Sequence, residues 1–165
     1  MPGLLHIVYI EIHSLFKALP LDYETVPKLG HLLLLGKDAG LEGKYDIAIC
    51  DFHAEATSEK QVFAHRFDGR IKIIFGTHTH VPTADERLTE LGGAFITDIG
   101  MCGGEDSVIG LTYSSVESRY MQNIRRKGVA DAKNVALNGA VFTVNESTLC
   151  VTEVKRIKYT EGDLL

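Results

Sequence analysis

The 165 residues, 45% hydrophobic and 24% charged, are enough for one packed domain and exclude a disordered or fibrous class. Seventeen Lys and Arg against 22 Asp and Glu leave a net charge of -5. That charge gives no general hold on a long polyanion and argues against stable nucleic-acid binding, while a small phosphate ester beside bound cations stays open. Cys50, Cys102 and Cys150 form no C-x-x-C pair, the apolar runs are too short for a bilayer, and Met1-Pro2-Gly3-Leu4-Leu5 lacks the features of an export signal. The expectation is a cytoplasmic protein with reduced thiols and no membrane association.

In chain order, Ile7–Ile12 is rich in β-branched residues and predicts a strand. A helix is expected from Tyr23 to Lys37, after the break at Pro20-Leu21-Asp22, and a turn over Gly40–Lys44. Asp46–Cys50 reads as a buried strand that delivers Asp51 and His53 at its end. Ser58 and Gln61 have capping-box spacing for a helix over Glu59–Phe67, which Asp68-Gly69 ends. Ile71–Phe75 predicts a second buried strand and Phe95–Ile99 a third, the latter running into the Gly100–Gly104 turn. A helix is expected over Ser115–Arg126, with closing strands over Ala140–Val144 and Leu149–Tyr159. Strict alternation in the last strand would put Val151, Glu153, Lys155 and Ile157 on one face. Strands alternating with helices imply an α/β layered core with ligands at the carboxyl ends of its strands.

His78-Thr79-His80 follows one predicted strand and Asp51-Phe52-His53 ends another. On an extended segment, residues i and i+2 point to the same side, so His78 and His80 can converge with His53 from the neighbouring strand. Three imidazoles suit a transition-metal ion. Histidines that merely bind loop backbone are the bland alternative, which three histidines after two buried strands outweigh. His6, His13, His31 and His65 have no such company and read as surface or packing residues. Asp51, Glu55, Glu59 and Asp98 are candidate acceptors for orienting ligand imidazoles; for Glu55 and Glu59, favourable charge near a helix start is the equal alternative. No G-x-S-x-G, Walker, H-E-x-x-H or C-x-x-C motif is present.

The blocks Asp51-Phe52-His53-Ala54-Glu55-Ala56-Thr57-Ser58-Glu59-Lys60, Gly76-Thr77-His78-Thr79-His80-Val81-Pro82-Thr83-Ala84-Asp85 and Ile96-Thr97-Asp98-Ile99-Gly100-Met101-Cys102-Gly103 resemble, in order and spacing, the YmdB-type bacterial metallophosphoesterases. Ser107-Val108-Ile109-Gly110 is similar to mycoplasma-like members. The resemblance implies a calcineurin-like fold, a β-sandwich with flanking helices, as a single domain over residues 1–165. It also implies a dinuclear centre of divalent metal ions, iron or manganese, that hydrolyses phosphate esters such as 2′,3′-cyclic nucleotides. By motif, His53 and His78 resemble ligands of one ion and His80 a ligand of the other.

The family's opening Gly-Asp, Glu-Asn and Gly-Asn-His motifs, which supply the bridging carboxylate and the leaving-group acid, have no counterpart here. Residues 1–44 look instead like a diverged middle strand and helix. The expectation is therefore a domain with its N-terminal part missing, keeping three imidazoles and impaired as an enzyme by itself. It would pair as a homo-oligomer or with a partner chain that supplies the missing half. A non-catalytic metal-binding or assembly module is the competing expectation.

Overall fold

The computed structural model describes residues 7–13 and 45–164; the expected helix over Tyr23–Lys37 lies outside them. In chain order the elements are β1 (Ile7–His13), β2 (Ile47–His53), α1 (Thr57–Phe67), β3 (Ile73–Thr77), β4 (Arg87–Leu88), β5 (Ala94–Ile96), β6 (Gly103–Gly104), α2 (Tyr113–Met121), β7 (Val135–Val144) and β8 (Val151–Thr160), followed by a 3₁₀ turn over Glu161–Leu164. The described strands form a five-stranded sheet in the order β1-β2-β3-β5-β4 and a three-stranded sheet in the order β6-β7-β8. β1, β2, β3 and β5 run parallel, and β4 adds an antiparallel edge. The second sheet is antiparallel throughout. This is an α/β fold with one mixed and one antiparallel sheet and few helices.

Strands β2, β3 and β5 are covered on both faces, which explains why their sequences are largely apolar. Ala48, Cys50 and Phe52 of β2, Ile74 of β3 and Phe95 of β5 point to one face and pack against Phe63, Ala64 and Phe67 of α1. These α1 positions follow the i, i+3, i+4, i+7 stripe that begins at Lys60. The rings of Phe52 and Phe63 stack at 4.5 Å between centroids, and those of Phe63 and Phe67 at 4.6 Å. Each buried ring contributes roughly 1.5–3 kcal/mol of transfer free energy. Burial, with the charge of Asp51, pushes the Cys50 thiol up to about 12. On the other face, Ile73, Phe75 and Ala94 meet Phe142, Val144, Val151 and Val154 of the second sheet. The result is three layers: helix, mixed sheet, antiparallel sheet.

Several local expectations need correction. β2 and β3 extend further than expected, so His53 and Thr77 are the last residues of their strands rather than loop residues. β5 stops at Ile96, because the chain then turns to hydrogen-bond Asp85 and β3. Helix α1 starts at Thr57 after Ala56, with no side-chain cap, so the Ser58–Gln61 capping box does not form. Helix α2 ends at Met121 rather than Arg126: Asn123 takes a left-handed φ of 54° and the Ile124 amide closes back on the Ser118 carbonyl. Part of the Gly100–Gly104 turn, Gly103–Gly104, pairs as β6 with β7. Strict alternation in β8 fails because the register with β7 shifts at Thr143/Val144. The extra residue there brings Val151 and Val154 onto the same core-facing side. Among the described residues, no helix is long and apolar enough to cross a membrane.

Candidate active site

The sheet places chemistry at the carboxyl ends of its parallel strands, where β2 delivers Asp51 and His53 and β3 delivers Thr77 and His78. His53 and Thr77 are register partners, as are Asp51 and Phe75. On the other side of β2, Glu11 of β1 is in register with Asp51, and His13 with His53. Nothing in the sequence alone put His13 in that row.

A chain of hydrogen bonds fixes the His53 ring. The Thr77 hydroxyl donates to Asp51 Oδ1 at 2.8 Å, and His53 Nδ1 stands 3.0 Å from the same Thr77 oxygen. A hydroxyl has one proton to give, so Nδ1 of His53 is the protonated nitrogen of that contact. A neutral His53 therefore presents the lone pair of Nε2, which lies 3.0 Å from His78 Nδ1. The two rings meet edge-on, at 4.8 Å between centroids and 85° between planes. Asp51 thus orients a histidine as expected, but through a threonine that the sequence did not single out.

His78 and His80 do not lie on an extended segment. Their φ angles are 109° and 68°, so the i, i+2 alternation does not apply. His78 turns toward His53, whereas the exposed His80 places Nδ1 3.0 Å from the carbonyl of Ile109. Holding a non-glycine residue at positive φ costs on the order of 1–3 kcal/mol, and a buried ion pair hydrogen-bonds the backbone on either side of His78. Lys60 and Asp98 are both fully buried, with Nζ 2.9 Å from Oδ2. Lys60 also donates to the Thr77 carbonyl at 2.8 Å. Asp98 accepts the Thr79 amide at 3.0 Å and the Gly100 amide at 2.9 Å. Asp98, expected to orient imidazoles directly, instead holds the backbone on either side of the site. Lys60 was missed, although a cation heading the apolar stripe of α1 is the signal that marks it. Glu55 is exposed and Glu59 buried.

Asp85 anchors the far end of the His78–His80 loop to the Thr97 backbone. Burial pushes its carboxyl up, but hydrogen bonds from the Thr83 and Thr97 hydroxyls and the Thr97 amide, with the Arg87 charge, outweigh this and hold it below its ordinary 3.8. A depressed folded-state value stabilises the fold at pH above the unfolded value, and this contribution is lost as pH falls through the lower folded value. Asp85→Asn is therefore expected to lower stability at neutral pH and flatten the loss of stability below about pH 4, read from urea midpoints across pH. An unchanged acid profile would show that Asp85 contributes no such linkage.

The donor set can be set against the dinuclear centre that the resemblance implies. Two nitrogens each about 2.1 Å from one ion, at a right angle, lie about 3.0 Å apart, the separation found between His53 and His78. This pair suits one edge of a coordination sphere. Among the described residues, however, no group of three His, Cys, Asp or Glu side chains stands together as a metal ion requires. The described side chains therefore do not fit a dinuclear centre by themselves.

Comparison with known proteins places the architecture. A Mycoplasma pneumoniae protein named provisionally as a phosphatase/phosphodiesterase is 40% identical over 147 residues, covering 88% of this chain and 51% of its own length. The 2′,3′-cyclic-nucleotide 2′-phosphodiesterase of Bacillus subtilis is 42% identical over 108 residues, 65% of this chain and 40% of that protein. The crystal structure of a Mycoplasma pneumoniae phosphatase superposes with a TM-score of 0.76 at 36% identity, covering 93% of this chain and 53% of that one. The chain thus spans about half the length of the curated relatives it matches. The family model described as YmdB-like protein matches residues 35–157, and the chain belongs to that family.

Proposed function

We propose that this chain carries the histidine-bearing part of a calcineurin-like, metal-dependent phosphodiesterase acting on phosphate esters such as 2′,3′-cyclic nucleotides. The observation that carries the reading is the convergence of His53 and His78 at adjacent strand ends, with ring nitrogens 3.0 Å apart and the His53 tautomer set by Thr77 and Asp51. Relatives named for phosphatase and phosphodiesterase activity support the reaction class. His53 and His78 would hold a divalent ion, iron or manganese, and His80 would be a ligand of a second. The remaining ligands would come from polypeptide beyond the described residues, in a second copy or a partner chain. When bound, the ions would supply Lewis acidity and an activated water. This chain's own part is to orient His53, keep the backbone of the His78–His80 loop fixed through Asp98, and cover the sheet end from below with Lys60. The chain alone is expected to be a poor catalyst, because the family's Gly-Asp, Glu-Asn and Gly-Asn-His motifs have no counterpart in its sequence.

The test is hydrolysis of a 2′,3′-cyclic nucleotide and of bis-p-nitrophenyl phosphate with manganese, alongside manganese binding, in the chain and in His78→Ala. Weak manganese binding that His78→Ala removes is expected, with turnover reduced by at least the about 10²–10⁴-fold that loss of a general acid costs. Rapid hydrolysis abolished by the substitution would keep the site and overturn the impairment. Binding and turnover indifferent to His78→Ala would overturn the site, and manganese binding with no turnover under any condition would favour a non-catalytic metal-binding module.

A further inference from the structure

Beside the exposed ring of His80, the loop after β3, strand β6 and the second sheet enclose a cavity of about 240 Å³. This is below the roughly 300–1,000 Å³ of a complete small-molecule site, so it takes one ring system rather than a whole ligand. Its walls divide by chemistry. Pro82, Met101 and Ile109 supply apolar surface, and a thioether makes favourable contacts with the edge of an aromatic ring. Polar groups also line it, namely His80, Glu105, Ser107, Lys158 and the Asn138 carboxamide, which donates to the Met101 carbonyl at 2.7 Å. That single bond leaves its oxygen and second N–H for a ligand, and a carboxamide matches the paired donor and acceptor on the edge of a heteroaromatic base.

Gly103 keeps this space open. No positive φ requires glycine there, and an added Cβ would meet only the end of the Met101 side chain, 3.7 Å from its methyl carbon. The contrast is with Gly104, whose Cβ would come within 2.6 Å of the Asp131 carbonyl oxygen. Gly104 is small because the backbone leaves no room; Gly103 borders the cavity with room to spare.

We propose that this cavity binds the nucleobase of a nucleotide phosphoester whose phosphate is handled at the histidine side of the site. The proposal rests on the phosphoesterase reading above and adds the part of the substrate that is recognised away from phosphorus. The apolar wall and the Asn138 carboxamide discriminate a base-bearing ester from a bare sugar phosphate, while Glu105 and Lys158, which also line the cavity, are paired with each other.

The experiment titrates the full chain with adenosine 3′-monophosphate and with ribose 5-phosphate, following ligand protons by saturation-transfer NMR. The nucleotide is expected to bind about tenfold more tightly, the equivalent of about 1.4 kcal/mol, with the strongest transfer at the adenine H2 and H8 protons. Gly103→Val should bring nucleotide affinity down to that of ribose 5-phosphate while leaving the latter unchanged. Asn138→Ala, which introduces no new bulk, should move affinity in the same direction. Ribose 5-phosphate binding with no advantage for the nucleotide would overturn the base site and leave the phosphoesterase reading standing. A nucleotide advantage that survives both substitutions would overturn the base site in the same way. Failure of both ligands to bind would overturn the phosphoesterase reading and this proposal with it.

Discussion

Lys60→Met is expected to destabilise the protein by about 3–5 kcal/mol, the cost of leaving one member of a buried ion pair without its partner. Both side chains are fully excluded from solvent, so the Asp98 carboxylate has no water to replace the lost ammonium. Methionine fills most of the lysine stem's volume, so the loss measures charge rather than packing. Asp98→Ala should cost at least as much, because the Thr79 and Gly100 amides lose their acceptor together with Lys60. Combining Lys60→Met with Asp98→Asn should recover part of the loss, since a neutral carboxamide still accepts from one amide and leaves no buried charge. Urea denaturation of the three variants checks this, with the single substitution also lowering Tm by roughly 10 °C. A Lys60→Met loss below about 1 kcal/mol would place the pair among the interactions that hold little. The same variant should alter the imidazole resonances of His78, because Thr77 and Thr79 on either side of it are held by the pair.

Gly76→Ala is expected to be at least as damaging, by more than about 3 kcal/mol, above the ordinary 1–3 kcal/mol cost of overpacking. Gly76 lies within β3 with no positive φ, so its backbone conformation suits any residue. Its need for glycine is one of approach. An added Cβ would stand 1.8 Å from the carbonyl oxygen of Thr97 and 2.7 Å from Lys60 Cδ. The Lys60 stem could shift, but the Thr97 carbonyl belongs to backbone that Asp85 and the Ile99 amide hold in place. Relief requires moving the β5 end away from β3, which would also disturb the Lys60–Asp98 contact. Loss of soluble protein, or a collapsed urea midpoint, is the expected measurement. A near-neutral Gly76→Ala would show that this backbone approach is looser than the structure places it. Gly103→Ala is the matched control, because an added Cβ there makes only ordinary contact with the end of the Met101 side chain.

Much of the fold was legible because strands buried on both faces are largely apolar, so Asp46–Cys50 and Ile71–Phe75 announced themselves as strands. The stripe of Phe63, Ala64 and Phe67 announced the helix over them for the same reason. Element ends were less legible. They depend on which backbone groups find partners: the Ile124 amide closes back on the Ser118 carbonyl to end one helix, and the register at Thr143/Val144 is shifted against the partner strand.

The sequence by itself determined the family, through three contiguous blocks, and it placed His53 and His78 at or just past the ends of two successive predicted strands; that those strands are neighbours in the sheet is a fact of the fold. Only the tertiary structure decided what surrounds them. That Thr77 sets the His53 tautomer, that His78 and His80 turn at positive φ instead of alternating, and that Lys60 reaches under the loop to Asp98 are contacts between residues 17 to 38 positions apart or features of backbone strain. Periodicity reports which face of an element is buried. It does not report which buried atom meets which, because that depends on how the layers seat against one another.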